Sequence, residues 1–232
     1  MIYNKEIIER ARKENAFLVF LHPQRTGGSR LKKGLYELLG RENVYSQQTI
    51  GKDRYKNLDE LREGDLSSST RVFAGHSDFC VPKIDRPVYY FSTVRHPVLR
   101  MRSFYAYCKE KEGHRLRQLA QENNFVDFFR HGRQVAPKYF SNLQCRRLAS
   151  TQKLGKLKRL VEKSFLGIAE IGELQKLIDV VAEVLHGDVD VDVPIPAKLE
   201  EPSPTLNEAD QLVLSHNQED LALWRMVKEG HL

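Results

Sequence analysis

The chain has 232 residues, of which 41% are hydrophobic and 29% are charged. This composition predicts a folded globular protein and excludes a disordered chain, and the length favours one domain spanning residues 1–232. Lys and Arg outnumber Asp and Glu by 37 to 31, which gives a formal net charge of +6. A positive balance favours an anionic partner, and a nucleotide, a nucleic acid, an acidic glycan or a membrane surface would all fit it.

The cysteines and the first residues of the chain bear on its compartment. Cys80, Cys108 and Cys145 are too few and too scattered for a disulfide framework or a zinc site, which favours a reducing environment. Residues 1–13 carry charges of both signs and lack the apolar core of a signal peptide. The longest apolar run, at 16–21, is far below the roughly 20 residues that span a bilayer. We therefore expect a cytoplasmic protein without a transmembrane segment.

Hydrophobic periodicity predicts that strands alternate with helices along the chain. In chain order, the predicted elements are a helix at 7–15, a strand at 17–21, a helix at 31–39, strands at 71–75 and 88–94, helices at 97–111, 125–131, 138–150 and 153–163, a strand at 165–169, and helices at 173–185 and 207–229. The Pro- and Asp-rich segment at 187–204 is typical of a surface connection. This alternation predicts an α/β fold in which helices flank a central parallel β-sheet.

A polar loop with two glycines follows the first buried strand. Gly27 and Gly28 allow a sharp turn that directs N–H groups into one concavity, and the next helix adds positive potential at its N-terminus. Arg25 adds a cation, and Thr26 and Ser29 add hydroxyl donors. The loop therefore predicts a phosphate cradle, the alternative being an ordinary connection whose glycines only make the turn. It lacks the G-x-x-x-x-G-K-[S/T] pattern, and no strand ends in an Asp for Mg²⁺, so phosphoryl transfer from ATP is disfavoured.

A second candidate anion site follows the strand at 88–94. Arg95 ends this strand, where α/β sheets bind ligands, and Pro97 suits the first turn of the next helix. Ser103 lies about two helical turns further on. An Arg and a Ser hydroxyl can share a phosphate. The alternative is that Arg95 pairs with a local carboxylate and Ser103 packs on its helix.

Together, these two stretches resemble a known family. Residues 22–29, His-Pro-Gln-Arg-Thr-Gly-Gly-Ser, resemble the 5′-phosphosulfate loop of sulfotransferases that use 3′-phosphoadenylyl sulfate (PAPS). Residues 95–105 resemble the 3′-phosphate motif of the same enzymes. The likeness is closest to the carbohydrate branch that contains the heparan sulfate 2-O- and 6-O-sulfotransferases. Weaker similarities at 141–148, 165–171 and 217–224 extend it over most of the chain.

The resemblance implies a fold, a donor and a set of site residues. The fold would be the P-loop-like, three-layer fold related to nucleotide kinases. The donor would be PAPS, with adenosine 3′,5′-bisphosphate as the product and without a catalytic metal. By position, the residues that would hold the 5′-phosphosulfate are Arg25, Thr26, Gly27, Gly28 and Ser29, and those that would hold the 3′-phosphate are Arg95 and Ser103. The family usually has Lys at position 25; Arg keeps the charge but cannot donate its proton as an acid.

His76 is the expected catalytic base. It directly follows the strand at 71–75, and the segment is similar to the Gly-His segment that carries the base in the carbohydrate branch. A histidine suits the removal of a hydroxyl proton near neutral pH. Asp78 is expected to orient this imidazole, to bind acceptor or to be solvated; His22 to hydrogen-bond the turn; and His96 to face a helix start. The remaining histidines, expected at the surface, are His114, His131, His186, His216 and His231.

The predicted function is sulfuryl transfer from PAPS to an acceptor hydroxyl on a carbohydrate. His76 would remove the acceptor proton, and Arg25 would stabilise charge on the leaving group during in-line displacement. The alternatives are a Mg²⁺-dependent small-molecule or nucleotide kinase, and a non-catalytic relative that binds nucleotide or glycan. A nucleic acid partner rests on net charge alone and is not expected.

Basic residues also suggest a surface for the acceptor. One interpretation is a groove for an anionic or polyhydroxyl acceptor, and the other is ordinary solvated helix faces. These residues are Lys52, Arg54, Lys56, Arg100, Arg102, Lys109, Lys111, Arg115 and Arg117.

Overall fold

The structure, a computed structural model, describes residues 1–46, 56–186 and 206–231. The strands are β1 (Ile2–Tyr3), β2 (Phe17–Leu21), β3 (Val44–Ser46), β4 (Val72–Gly75), β5 (Val88–Val94) and β6 (Phe165–Glu170). The helices are α1 (Lys5–Lys13), α2 (Gly28–Leu39), α3 (Pro97–Glu110), α4 (Arg117–Glu122), α5 (Phe125–Val135), α6 (Pro137–Phe140), α7 (Leu143–Ala149), α8 (Leu154–Ser164), α9 (Leu174–His186), α10 (Glu208–Ser215) and α11 (Gln218–Glu229). The predicted connection at 187–204 and the basic residues Lys52 and Arg54 lie outside the described residues.

The six strands form one sheet in the order β1-β6-β5-β2-β4-β3. Every neighbouring pair is parallel except β1 with β6, which is antiparallel. The predicted α/β fold, in which helices flank a central parallel sheet, is therefore confirmed, except that the edge strand β1 runs antiparallel. Because β2 lies at the centre of the order, its carboxyl end has those of β5 and β4 on either side.

The unbroken apolar run of β2 is explained by its burial on both faces. Leu18 and Phe20 belong to a core with residues of α1, α2 and α9. Phe17, Val19 and Leu21 belong to a second core, which α7, α8 and α11 complete. Alternate side chains of a strand point to opposite faces, so a strand covered on both sides needs apolar residues at every position.

Two of the predicted helices are each divided in two, and an asparagine lies at each break. The predicted helix at 138–150 breaks at Asn142, which has a left-handed φ of 43°. Its side-chain Oδ1 accepts from the backbone N–H groups of Glu219 and Asp220, at the start of α11. The predicted helix at 207–229 breaks at the fully buried Asn217. The Asn217 side chain accepts from the backbone N–H of Asn142 and donates to the Phe140 carbonyl, so each asparagine caps the other's helix.

Three short elements escape the sequence prediction because they carry little periodicity. They are β1, β3 and α4, of two, three and six residues. Among the helices that the structure describes, none is long and apolar enough to cross a bilayer.

Candidate functional site

The sequence-predicted site residues converge at the carboxyl ends of three adjacent strands. The loop at 22–29 follows β2, His76 follows β4, and Arg95 follows β5. The chain crosses at this point from the β4 side of β2 to the β5 side, which is where open parallel sheets bind ligands. A cleft of about 580 Å³ lies here, and we call it the arginine cleft. Its walls include all of the predicted site residues except Thr26.

The two glycines of the loop are required for different reasons. Gly27 has a φ of 92°, in the left-handed region that favours glycine. Gly28 is required by space, because a Cβ atom there would lie 2.1 Å from Cδ2 of the His22 ring. Helix α2 begins at Gly28, and the first N–H groups of a helix have no intrahelical acceptor. The cleft therefore receives a helix N-terminus, which favours an anion.

Thr26 attaches the loop to β5 and does not line the cleft. The residue is fully buried. Its hydroxyl lies 2.8 Å from the Pro23 carbonyl oxygen and 2.8 Å from the hydroxyl of Thr93 on β5. These contacts tie the loop to the neighbouring strand and leave the Thr26 side chain directed away from the arginine cleft.

Two guanidinium groups enter the cleft without a carboxylate to neutralise them. Arg25 Nε donates to Ser103 Oγ at 3.0 Å, and the guanidinium lies 4.9 Å from the ring centre of Tyr107. Arg95 Nη1 lies 3.4 Å from the Arg25 carbonyl oxygen, while its buried Nε has no hydrogen-bond partner. Within the described residues, no carboxylate comes within 4.0 Å of either group. Burial, and then the charge of Arg25, lower the pKa of Arg95. An anion bound between the two guanidinium groups would offset both the burial of Arg95 and its repulsion by Arg25.

A buried hydrogen-bond network holds the backbone of Arg95 in place. The fully buried side chain of Gln144 accepts from the Arg95 backbone N–H at 2.8 Å and donates to its carbonyl at 3.0 Å. Asp220 in turn accepts from the backbone N–H groups of Gln144 and Cys145. Burial raises the pKa of Asp220. Residues 141–148 and 217–224, two of the three stretches of weaker resemblance, thus meet beneath Arg95.

Two stacked histidines also line the arginine cleft. The rings of His22 and His76 have centroids 4.2 Å apart and an interplanar angle of 30°. His76 Nδ1 lies 2.7 Å from the His22 carbonyl oxygen. Because a carbonyl only accepts, Nδ1 carries the proton, and the lone pair of a neutral His76 is on Nε2. The backbone carbonyl of His22 therefore orients the His76 ring. Orienting this ring was one of the roles that the sequence analysis considered for Asp78.

Burial and nearby positive charges favour the neutral form of both imidazoles. Burial lowers the pKa of His22 well below its usual value, and His76, Lys32 and Arg25 add to this effect. Burial is also the main cause that lowers the pKa of His76, with Arg147 and Lys32 contributing and the hydrogen bond to His22 opposing. A neutral imidazole at neutral pH is the form that accepts a proton.

Several wall residues of the cleft were missed by the sequence analysis. Tyr107 lies four residues after Ser103 on α3, a helical spacing that could have revealed it. His114, expected at the surface, lines the cleft with its ring against the edges of Phe104 and Tyr107. Tyr139 also lines the cleft and comes from α6, and no local pattern links it to the loop.

Other predicted residues have structural partners. Asp78 forms an ion pair with Arg147 at 2.7 Å. His96 is buried at the start of α3, with its ring against the Trp224 indole. His216 lies 2.7 Å from Arg133. Of the basic residues suggested for an acceptor groove, Arg102 pairs with Asp210, and Arg100 is fully buried.

Comparison with known proteins does not assign the chain to a family. No family model matches the sequence, and no curated protein matches it significantly. Across the part of the chain that the structure describes, no group of three His, Cys, Asp or Glu side chains is arranged to hold a metal ion.

Proposed function

We propose that this protein is a sulfotransferase that moves a sulfuryl group from PAPS to an acceptor hydroxyl, on a carbohydrate. The observation that carries the proposal is that one cleft contains two arginines without a carboxylate partner among the described residues, a helix N-terminus and a neutral histidine. The arginines and the helix N-terminus suit a nucleotide with two separate anionic groups, and the histidine suits a hydroxyl nucleophile. The two motifs that resemble those of PAPS-dependent enzymes support the same interpretation.

The reaction assigns one task to each group. The acceptor oxygen attacks sulfur as its proton passes to Nε2 of His76. The new O–S bond forms while the bond from sulfur to the bridging phosphate oxygen breaks, and adenosine 3′,5′-bisphosphate leaves. Arg25 and the N–H groups at the start of α2 stabilise the negative charge that develops on the departing phosphate.

Arg25 fits this electrostatic task better than a proton transfer. Its guanidinium is held by Ser103 and by the face of Tyr107, and an arginine keeps its charge at all physiological pH values. The leaving phosphate is a weak base at neutral pH, so charge stabilisation suffices and general acid catalysis is not needed.

Nucleotide binding tests the donor site directly. In a thermal-shift assay, we compare adenosine 3′,5′-bisphosphate with 5′-AMP, ADP and ATP, each with and without Mg²⁺. We expect the bisphosphate alone to raise Tm by about 5–10 °C at a hundred times its Kd, independently of Mg²⁺. Arg95→Gln should lose the shift, whereas the matched control Arg159→Gln, on the exposed face of α8, should keep it.

The other outcomes favour the alternatives. A shift with ATP and Mg²⁺ only would support a kinase. A shift with the bisphosphate but no transfer of labelled sulfate to any hydroxyl would support a non-catalytic nucleotide-binding relative. No shift with any nucleotide would contradict the proposal.

A further inference from the structure

A second cleft shares His76 with the arginine cleft. It has a volume of about 380 Å³, and its walls include Asn57, Asp59, Asp78, Arg147 and Ser150 as well as His76. We call it the aspartate cleft. In-line displacement needs the nucleophile and the leaving group on opposite sides of sulfur. A base that borders both clefts is therefore placed between a donor in one and an acceptor in the other.

The wall of the aspartate cleft is held in place by contacts with the end of α7. The backbone N–H of Phe79 donates to the Arg147 carbonyl at 2.7 Å, and the Arg147 guanidinium donates to Asp78 at 2.7 Å. The Ser150 hydroxyl donates to the carbonyl of Phe79. These bonds fix the segment directly after His76, so the cleft exists before any ligand enters.

The charge of the aspartate cleft differs from that of the arginine cleft. Arg147 neutralises Asp78, while the exposed Asp59 has no cation within 4.0 Å among the described residues. With a neutral His76, the described residues that line this cleft therefore carry an excess of negative charge. In the same wall, burial and then the carboxylates of Asp59 and Asp78 raise the pKa of the Cys80 thiol to about 11.

We propose that the aspartate cleft binds the acceptor, and that the acceptor is an uncharged polyhydroxyl molecule such as a neutral sugar. The Asp59 carboxylate and the Ser150 oxygen can accept hydrogen bonds from acceptor hydroxyls, and the Asn57 amide can both donate and accept. An acceptor rich in carboxylate or sulfate groups would meet the Asp59 carboxylate and be disfavoured. This inference rests on the proposed sulfotransferase function.

The test measures transfer of label from ³⁵S-PAPS to two hexasaccharides, the neutral maltohexaose and the uronate-containing hyaluronan. We expect the wild-type protein to label maltohexaose in preference. Asp59→Lys should shift the ratio of kcat/KM towards hyaluronan by about tenfold, because it replaces repulsion with attraction. The matched control Asp179→Lys, on the exposed face of α9, should leave the ratio unchanged.

Three results would overturn the inference: preference of the wild type for hyaluronan, label on neither sugar, or equal ratios for Asp59→Lys and Asp179→Lys. The thermal shift with adenosine 3′,5′-bisphosphate separates this failure from that of the proposed function. If the shift is present in the wild type and in Asp59→Lys, the donor site stands and only the acceptor assignment falls. If it is absent in the wild type, the sulfotransferase proposal itself falls.

Discussion

At the scale of single residues, His22 links the two halves of the arginine cleft. Its carbonyl accepts from His76 Nδ1, and its ring stacks on the His76 imidazole. The same ring occupies the space that a side chain at Gly28 would need. One residue thus fixes the tautomer of the proposed base and the shape of the loop that would hold the donor.

The pH dependence of activity should reveal the environment of His76. Since the surrounding protein lowers its pKa below 6.5, the neutral base persists to lower pH than in a free histidine. We expect kcat/KM to be flat near neutral pH and to fall only below pH 6.5. His76→Gln should reduce kcat by about 10²–10⁴-fold. The exposed control His131→Gln should match the wild type. A decrease of kcat/KM that begins above pH 6.5 as the solution is acidified would contradict the role of His76 as a base with a lowered pKa.

Gly28→Ala should damage the loop because the new methyl group collides with the His22 ring. Overpacking of this kind costs roughly 1–3 kcal/mol in the free energy of unfolding. The control is Gly172→Ala, since a Cβ atom at Gly172 meets nothing within 4 Å. Urea unfolding of both variants measures the difference. Equal stability of the two would show that the ring moves aside without cost.

At the scale of elements, Asn142 and Asn217 decide where four helices end and begin. A periodic apolar pattern continues through both positions, so it predicts two long helices where the structure has α6, α7, α10 and α11. The breaks depend on hydrogen bonds between residues 75 positions apart. Such partners are set by the tertiary fold, and local propensity does not contain them.

Asn217→Ala should lower the free energy of unfolding by about 2–3 kcal/mol, because the buried asparagine bonds both helix ends and its loss leaves buried groups unpaired. The comparison is Asn124→Ala, which removes an ordinary cap at the N-terminus of α5 and should cost about 1 kcal/mol. Chemical denaturation gives both values. A smaller effect at Asn217 than at Asn124 would contradict the coupled role.

The sequence predicted best those features that adjoin a long buried strand. β2 and β5 are marked by uninterrupted apolar or β-branched runs, so the residues after them, Arg25 to Ser29 and Arg95, could be assigned to one crevice. The side-chain direction of Thr26 could not be predicted, because it depends on its contact with Thr93. His114 and Tyr139 reach the cleft from distant helical segments, and only the packing of those segments brings them there.

At the scale of the whole molecule, stability should decrease as the solution is acidified through the histidine range. The pKa of His22 is lowered in the folded state, so the unfolded chain binds more protons below pH 6.5. The contribution of His22 to the free energy of unfolding is therefore fully present above pH 6.5 and is lost as the pH drops. His114 and His216, whose pKa values are also lowered by burial, act in the same direction.

His22→Phe isolates one part of this dependence. The new ring can stack on Phe20 and His76 as His22 does, but it binds no proton. We expect the free energy of unfolding to fall less steeply below pH 6.5 than in the wild type, as measured by urea titrations at each pH. Parallel curves for the two proteins would contradict the assignment of a neutral, half-buried His22.

The contact between His22 and Gly28 also has an evolutionary consequence. The ring at position 22 contacts both position 28 and the ring at position 76, so a change at position 28 affects all three positions. A homologue with a side chain at position 28 should carry a residue smaller than histidine at position 22. In such a lineage the ring at position 76 would lose its stacking partner but keep its backbone acceptor, and the base could survive a change in the loop.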